Sequence, residues 1–279
     1  SDAELKKVVL KLPSVLGCSV DANVLPSLAA LQSRLGLSDA ELKKVVLRQP
    51  QVLGYSVEAN VLPSLAALQS RLGLSDAELK EVVLRMPSVL GFSVDANVLP
   101  SLAALQSRLG LSVAELKRVV LKLPSVLGCS VDANVLPSLA ALQSRVRLSD
   151  AELKKVVLRM PSLLGCSVDA NVGPSLAALQ SRLGLSDAEL KKVVLKMPSV
   201  LGYSVDANVL PSLASLQSLL GLNDAELKEV VLKYPSLLGF SVEANVLPSL
   251  AALQSRLGLS DAELKKVVLK LPSVLGCSV

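Results

Sequence analysis

A single 37-residue unit, written from Leu37 to Gly73 as LSDAELKKVVLRQPQVLGYSVEANVLPSLAALQSRLG, recurs along the whole chain. A fixed period of about 20–50 residues is the mark of stacked supersecondary units that cannot bury their apolar faces alone. Two prolines mark each unit. One recurs at Pro13, Pro50, Pro87, Pro124, Pro161, Pro198, Pro235 and Pro272; the other at Pro26, Pro63, Pro100, Pro137, Pro174, Pro211 and Pro248. The opening position holds Ser1, Ser38, Ser75, Ser112, Ser149, Ser186 and Ser260, with Asn223 in the remaining slot. The repeats run 1–37, 38–74, 75–111, 112–148, 149–185, 186–222 and 223–259, with a partial unit at 260–279, and are expected to form one domain, 1–279.

Within the unit, Ser38-Asp39-Ala40-Glu41 is a capping box: the serine hydroxyl accepts from the Glu41 N–H, and the Glu41 carboxylate reaches back to the Ser38 N–H. Leu42, Val45, Val46 and Gln49 follow at helical spacing. Leu47 lies across the helix from that stripe, as a helix sandwiched between neighbours requires. Pro50 ends the helix, because proline disfavours α geometry in the residue before it and cannot donate. The segment Pro50–Gly54 is too short for an α-helix and reads as a 3₁₀ turn whose Val52 and Leu53 plug the core. Ser56 then caps a second helix with Glu58 in its first turn. Pro63 falls inside this helix, so either the helix kinks or its first turn stands apart and the main helix begins near Leu62. Gly73 sits where a left-handed C-terminal cap belongs.

Helix, 3₁₀ turn, helix, repeated with each unit relying on its neighbours for burial, predicts an all-α superhelical solenoid, right- or left-handed, with a concave face. Departures from the pattern are few: Val113 replaces the first-turn Asp, Arg147 the capping Gly, Gly173 the Leu before the second proline, and Leu219 an Arg. Arg147 is expected to cost local stability, since its position wants a left-handed backbone. No polar capping repeat stands at either end, which predicts end-to-end self-association through uncapped apolar faces.

Composition narrows the function. Hydrophobic residues make up 51% and aromatics 2%, so Leu, Val and Ala must build the core. No run approaches the roughly 18 apolar residues of a membrane span, and no signal or transit segment is legible, so no membrane partner is expected. Histidine is absent, and the four cysteines (Cys18, Cys129, Cys166, Cys277) share one phase of the repeat with Tyr55, Phe92, Tyr203 and Phe240. They read as small apolar fillers, with no metal site and no disulfide framework. The serines sit in caps and on helix surfaces, and each glycine is solitary. No catalytic residue, no cofactor and no enzyme activity are expected.

The basic residues remain, in four series locked to the repeat. The first is Lys6, Lys43, Lys80, Lys117, Lys154, Lys191, Lys228 and Lys265; the second is Lys7, Lys44, Arg118, Lys155, Lys192 and Lys266, broken by Glu81 and Glu229. The third, Lys11, Arg48, Arg85, Lys122, Arg159, Lys196, Lys233 and Lys270, is basic in all eight units, and the fourth is Arg34, Arg71, Arg108, Arg145, Arg182 and Arg256. The third and fourth lie in last helical turns, where cations complement the helix dipole. They are also the candidates for a ladder of phosphate contacts, the third first and the fourth second. The residue before the first proline (Leu12, Gln49, Met86, Leu123, Met160, Met197, Tyr234, Leu271) has the variability of a one-base-per-repeat reading position, but a half-exposed core edge tolerant of substitution is the favoured reading.

The run LGLSDAELKEVVLRMPSVLGFSV (Leu72–Val94), with NVLPSLAALQSRLGLS (Asn97–Ser112), resembles the repeat of the mitochondrial transcription termination factor (mTERF) family. The LGLS entry, the acidic first turn, the proline-closed helix, the P-x-[VL]-L plug and the N-x-L-P-x-L start of the second helix match in order and spacing. The resemblance implies an α-solenoid of helices and 3₁₀ turns, in mitochondria or chloroplasts, binding nucleic acid along a basic groove in organellar transcription termination or gene expression. Double-stranded DNA is the expected partner and RNA the alternative. Five aromatics are too few for strong base stacking on single strands. Units this alike resemble a recently duplicated natural array or a consensus-designed one, and for the designed case no organelle is implied. Two other readings follow from the same residues: a structural scaffold with no intrinsic ligand, and a protein–protein module.

Overall fold

The computed structural model describes residues 2–17 and 19–276, without the side chains of 2–5, 7, 15, 16 and 20. Ser1, Cys18, Cys277 and the Lys7 side chain therefore lie outside the described residues. The protein is 84% helical, with no strand among the described residues, and is an all-α solenoid of 37-residue repeats. It comprises two compact units, Ser1–Leu136 and Pro137–Val279.

In the first unit the capped helices are Asp2–Lys11, Asp39–Arg48, Asp76–Arg85 and Val113–Lys122, alternating with the proline helices Leu25–Leu35, Leu62–Leu72 and Leu99–Leu109. In the second the capped helices are Asp150–Arg159, Asp187–Lys196, Asp224–Lys233 and Asp261–Lys270, and the proline helices include Gly173–Leu183, Leu210–Leu220 and Leu247–Leu257. Within each unit successive capped helices lie side by side, and each proline helix packs on the next repeat and on the capped helix beyond it. The core is a column of Leu and Val: Leu79, Val82, Val83 and Leu105 in the first unit and Leu153, Val193, Val194 and Leu216 in the second are all fully buried. No polar or charged residue is buried among those described.

The capping boxes form as the sequence dictates. The Ser38 N–H donates to Glu41 Oε2 at 2.8 Å and the Glu41 N–H to Ser38 Oγ at 3.3 Å. The same pair recurs at Ser75, Ser112, Ser149, Ser186, Asn223 and Ser260. The 3₁₀ turn spans Pro50–Gly54 with Val52 fully buried. Its glycine makes room as well as a turn: a Cβ on Gly91 would collide with the Tyr55 ring of the preceding repeat.

The second half of the unit differs from a single capped helix. Val57–Val61 forms a separate π turn, and the α-helix begins at Leu62 with Pro63 in its first turn. The Leu62 N–H donates to the Val57 carbonyl, five residues back. Pro63 has no N–H to continue an α ladder, and its ring would crowd the carbonyl four residues behind; the wider turn accommodates both. Ser56 makes no side-chain cap here, whereas Ser167 and Ser241 do, accepting from the Ala170 and Ala244 N–H groups.

The C-terminal caps are left-handed, with Gly73 at φ 62° and Gly184 at φ 56°. Arg147 holds the same conformation at φ 55°. A residue with a Cβ pays about 1–2 kcal/mol there, while the exposed Arg147–Asp187 ion pair (3.0 Å) returns about 0–1 kcal/mol. Arg147→Gly is therefore expected to raise stability by about 0.5–1 kcal/mol. A urea midpoint that falls would show the ion pair to outweigh the strain.

Candidate nucleic-acid interface

Three of the four basic series meet partners in other repeats, and the partners differ from series to series. The first series is structural. The Lys80 Nζ lies 2.8 Å from Glu41 Oε2 and donates to the Gly36 carbonyl at 2.8 Å. It thus joins the end of one proline helix, the capping box after it and its own capped helix. Lys117, Lys191, Lys228 and Lys265 repeat the bridge to Glu78, Glu152, Glu189 and Glu226 at 2.6–2.8 Å. The lysine, then the N-cap N–H, hold the carboxyls of Glu41, Glu152 and Glu189 down at about 2. Those of Glu78 and Glu226 are lowered by the same causes.

The fourth series is also engaged. Arg34 pairs with Asp76 at 3.0 Å and donates to Gln69 Oε1; Arg182 pairs with Asp224 at 3.2 Å and donates to Gln217; Arg71 donates to Gln106 Oε1 at 2.6 Å. Hydrogen bonds from Gln69 and Gln217, then the arginines, lower the Asp76 and Asp224 carboxyls. Arg145 is the exception. Its equivalent acceptor, Asp187, is taken by Arg147 at 3.0 Å, and Arg145 is left exposed. Arg256 is exposed as well, and Leu219, 48% exposed, interrupts the series.

The third series reaches across the stack. Arg48 Nη1 donates to the Leu84 carbonyl at 3.2 Å, Arg85 to those of Leu121 and Lys122, and Arg159 to Leu195 and Lys196 at 2.8 and 3.0 Å. Lys196 and Lys233 donate to Leu232 and Leu269 at 3.3 and 3.0 Å. Each closes the carbonyl end of the next capped helix, so the dipole it complements belongs to its neighbour as well as itself. These side chains remain exposed, as do Lys11, Lys122 and Lys270, and the series forms one edge in each unit.

One turn earlier on that face stands the second series, which sequence reasoning did not select. Lys44, Arg118, Lys155 and Lys192 are exposed and make no hydrogen bond or ion pair among the described residues. At two positions the series is acidic: Glu81 pairs with Arg85 at 3.3 Å and Glu229 with Lys233 at 2.7 Å. Four-residue spacing from an unbroken cationic series was the available signal.

The opposite charge collects elsewhere. Between successive π turns lie clefts of about 480–590 Å³. Their linings carry Asn97, Ser130 and Asp132, or the equivalents in other repeats, and no lysine or arginine. A carboxylate and no cation in each lining make these clefts unfavourable to phosphate. The thiols of Cys129 and Cys166 are free and half-buried, and burial pushes the Cys129 thiol up. No described group of His, Cys, Asp and Glu could hold a metal ion, and no described helix is long and apolar enough to cross a membrane.

The mTERF family model matches residues 1–107, 101–218 and 213–279, in three overlapping segments. No curated protein matches the chain. The matched segments carry the capping boxes, the proline-closed helices, the 3₁₀ plugs and the left-handed caps described above, so this chain belongs to the mTERF family.

Proposed function

We propose that the protein binds nucleic acid, duplex DNA before RNA, through phosphate contacts along the basic edge of its capped helices, with little sequence selectivity. The observation that carries this reading is the alignment of the third series in each unit, one exposed cation per repeat on a common edge. The mTERF family is one of nucleic-acid-binding repeat proteins, generally organellar, and an all-α repeat of this kind is typically a non-enzymatic binding scaffold. An organellar role in transcription termination fits the same reading. The phosphate contacts fall to the third series, Lys11, Arg48, Arg85, Lys122, Arg159, Lys196, Lys233 and Lys270. Fourth-series members with exposed guanidinium groups, Arg145 and Arg256, stand second.

The test is fluorescence anisotropy with a labelled duplex of about 25 base pairs, alongside single-stranded DNA and RNA of the same sequence. With six or more phosphate contacts, duplex affinity is expected to fall by about 10³-fold or more between 50 and 200 mM salt. Similar affinity for unrelated duplex sequences is expected, since near-identical repeats present near-identical contacts. Absence of duplex binding at 50 mM salt would overturn the reading and leave a structural scaffold.

A further inference from the structure

The cations of this chain differ in what they already hold. Lys80 and its equivalents in the first series are held between a carboxylate and a carbonyl, and Arg34 and Arg182 of the fourth between a Gln one repeat on and an Asp in the repeat after that. A third-series donor keeps its charge but shares its N–H groups with backbone carbonyls. Lys44, Arg118, Lys155 and Lys192 are exposed and hold no such partner among the described residues. Each stands four residues before a third-series cation, so both lie on one helix face about 6 Å apart along the axis.

That face is not continuous. In the second unit the pairs Lys155/Arg159 and Lys192/Lys196 occupy adjacent capped helices, and Glu229/Lys233 follows. Glu229 closes on Lys233 at 2.7 Å, cancels its charge and adds a carboxylate where a phosphate would sit. Glu81 does the same to Arg85 in the first unit, beside Lys44/Arg48.

Resting on the nucleic-acid reading above, we propose that the second-series residues Lys44, Arg118, Lys155 and Lys192 add phosphate contacts to those of the third series. Each is backed by its third-series neighbour, and Glu81 and Glu229 are built-in breaks. The ligand is the backbone of a nucleic acid, held in short segments rather than along a uniform ladder. In the second unit the strongest segment is the four-cation cluster on Asp150–Arg159 and Asp187–Lys196. Lysines with no structural bond can be removed without disturbing the stack, and alanine suits a helix interior.

The experiment titrates the full chain into a labelled duplex of about 25 base pairs across a salt series. The parent is compared with Lys155→Ala/Lys192→Ala and with Glu229→Lys, each checked by circular dichroism for unchanged helix content. The double variant is expected to bind at least tenfold more weakly at 50 mM salt and to lower the log–log salt slope by about 2, one per lost contact. Glu229→Lys is expected to bind more tightly and to steepen the slope by about 1–2. A parent that binds while both variants keep its affinity and slope overturns this assignment and leaves the broader reading standing. A parent that does not bind overturns both.

Discussion

Replacing Leu179 with alanine is expected to destabilise the Pro137–Val279 unit by about 2–5 kcal/mol. Leu179 sits at 0% exposure on the Gly173–Leu183 helix. Its helix packs on its own π turn, on the π turn of the next repeat and on the capped helix beyond, and a periodic stack cannot collapse at one layer without pulling its neighbours out of register. The cost combines the lost transfer of three carbons from water with the cavity left behind. Leu219→Ala is the matched control, because Leu219 is 48% exposed and its replacement is expected to stay within about 0.5 kcal/mol. Urea unfolding followed by far-ultraviolet circular dichroism separates the two. Equal midpoints would mean that the column of buried leucines does not carry the stability of the unit. A domain that depends on nearest-neighbour burial should also lose cooperativity in the variant, seen as a broadened transition.

Acid is expected to dismantle the same stack from its caps. The Glu41, Glu152 and Glu189 carboxyls lie at about 2 against an ordinary 4.5, and Glu78, Glu226 and Glu263 are lowered too. A carboxylate whose folded value is depressed contributes stability that is complete above its unfolded value and is lost as pH falls toward its folded one. The expected window is therefore pH 4.5 down to 2. Protonation there takes the acceptor from the lysine bridge and from the capping box at once at Glu41, Glu78, Glu152, Glu189 and Glu226. A stability–pH profile flat through that window would refute the assignment. Lys191→Met removes the largest cause at Glu152, so the Glu152 carboxyl, followed by NMR, should titrate closer to 4.5 than in the parent, with the remaining N-cap bond keeping it somewhat low.

Local chemistry was legible because its causes lie within a few residues. The period, the capping boxes at Ser38 and its equivalents, the Pro50 stop, the 3₁₀ plug and the left-handed Gly73 follow from hydrogen-bond donors, acceptors and sterics along the chain. The strain expected at Arg147 stands in the same class, and its φ of 55° agrees. Pro63 was ambiguous, since a kink and a separate first turn satisfy the same missing N–H; packing of Val57 and Val61 into the core accompanies the separate π turn.

The fate of each charge, in contrast, was a tertiary matter. Arg48 reads in the sequence as a cation closing its own helix, yet it donates to the Leu84 carbonyl 36 residues on. Lys80 is one member of a basic series to which local sequence assigns no partner, yet it bridges Glu41 and Gly36. Arg145 stands exposed where Arg147 holds Asp187, the acceptor at the position Asp76 has for Arg34. A sequence fixes which groups can ionise and on which helix face they stand. Which cations are spent and which remain depends on acceptors that only stacking brings within about 3 Å, and that remainder is what a phosphate backbone would meet.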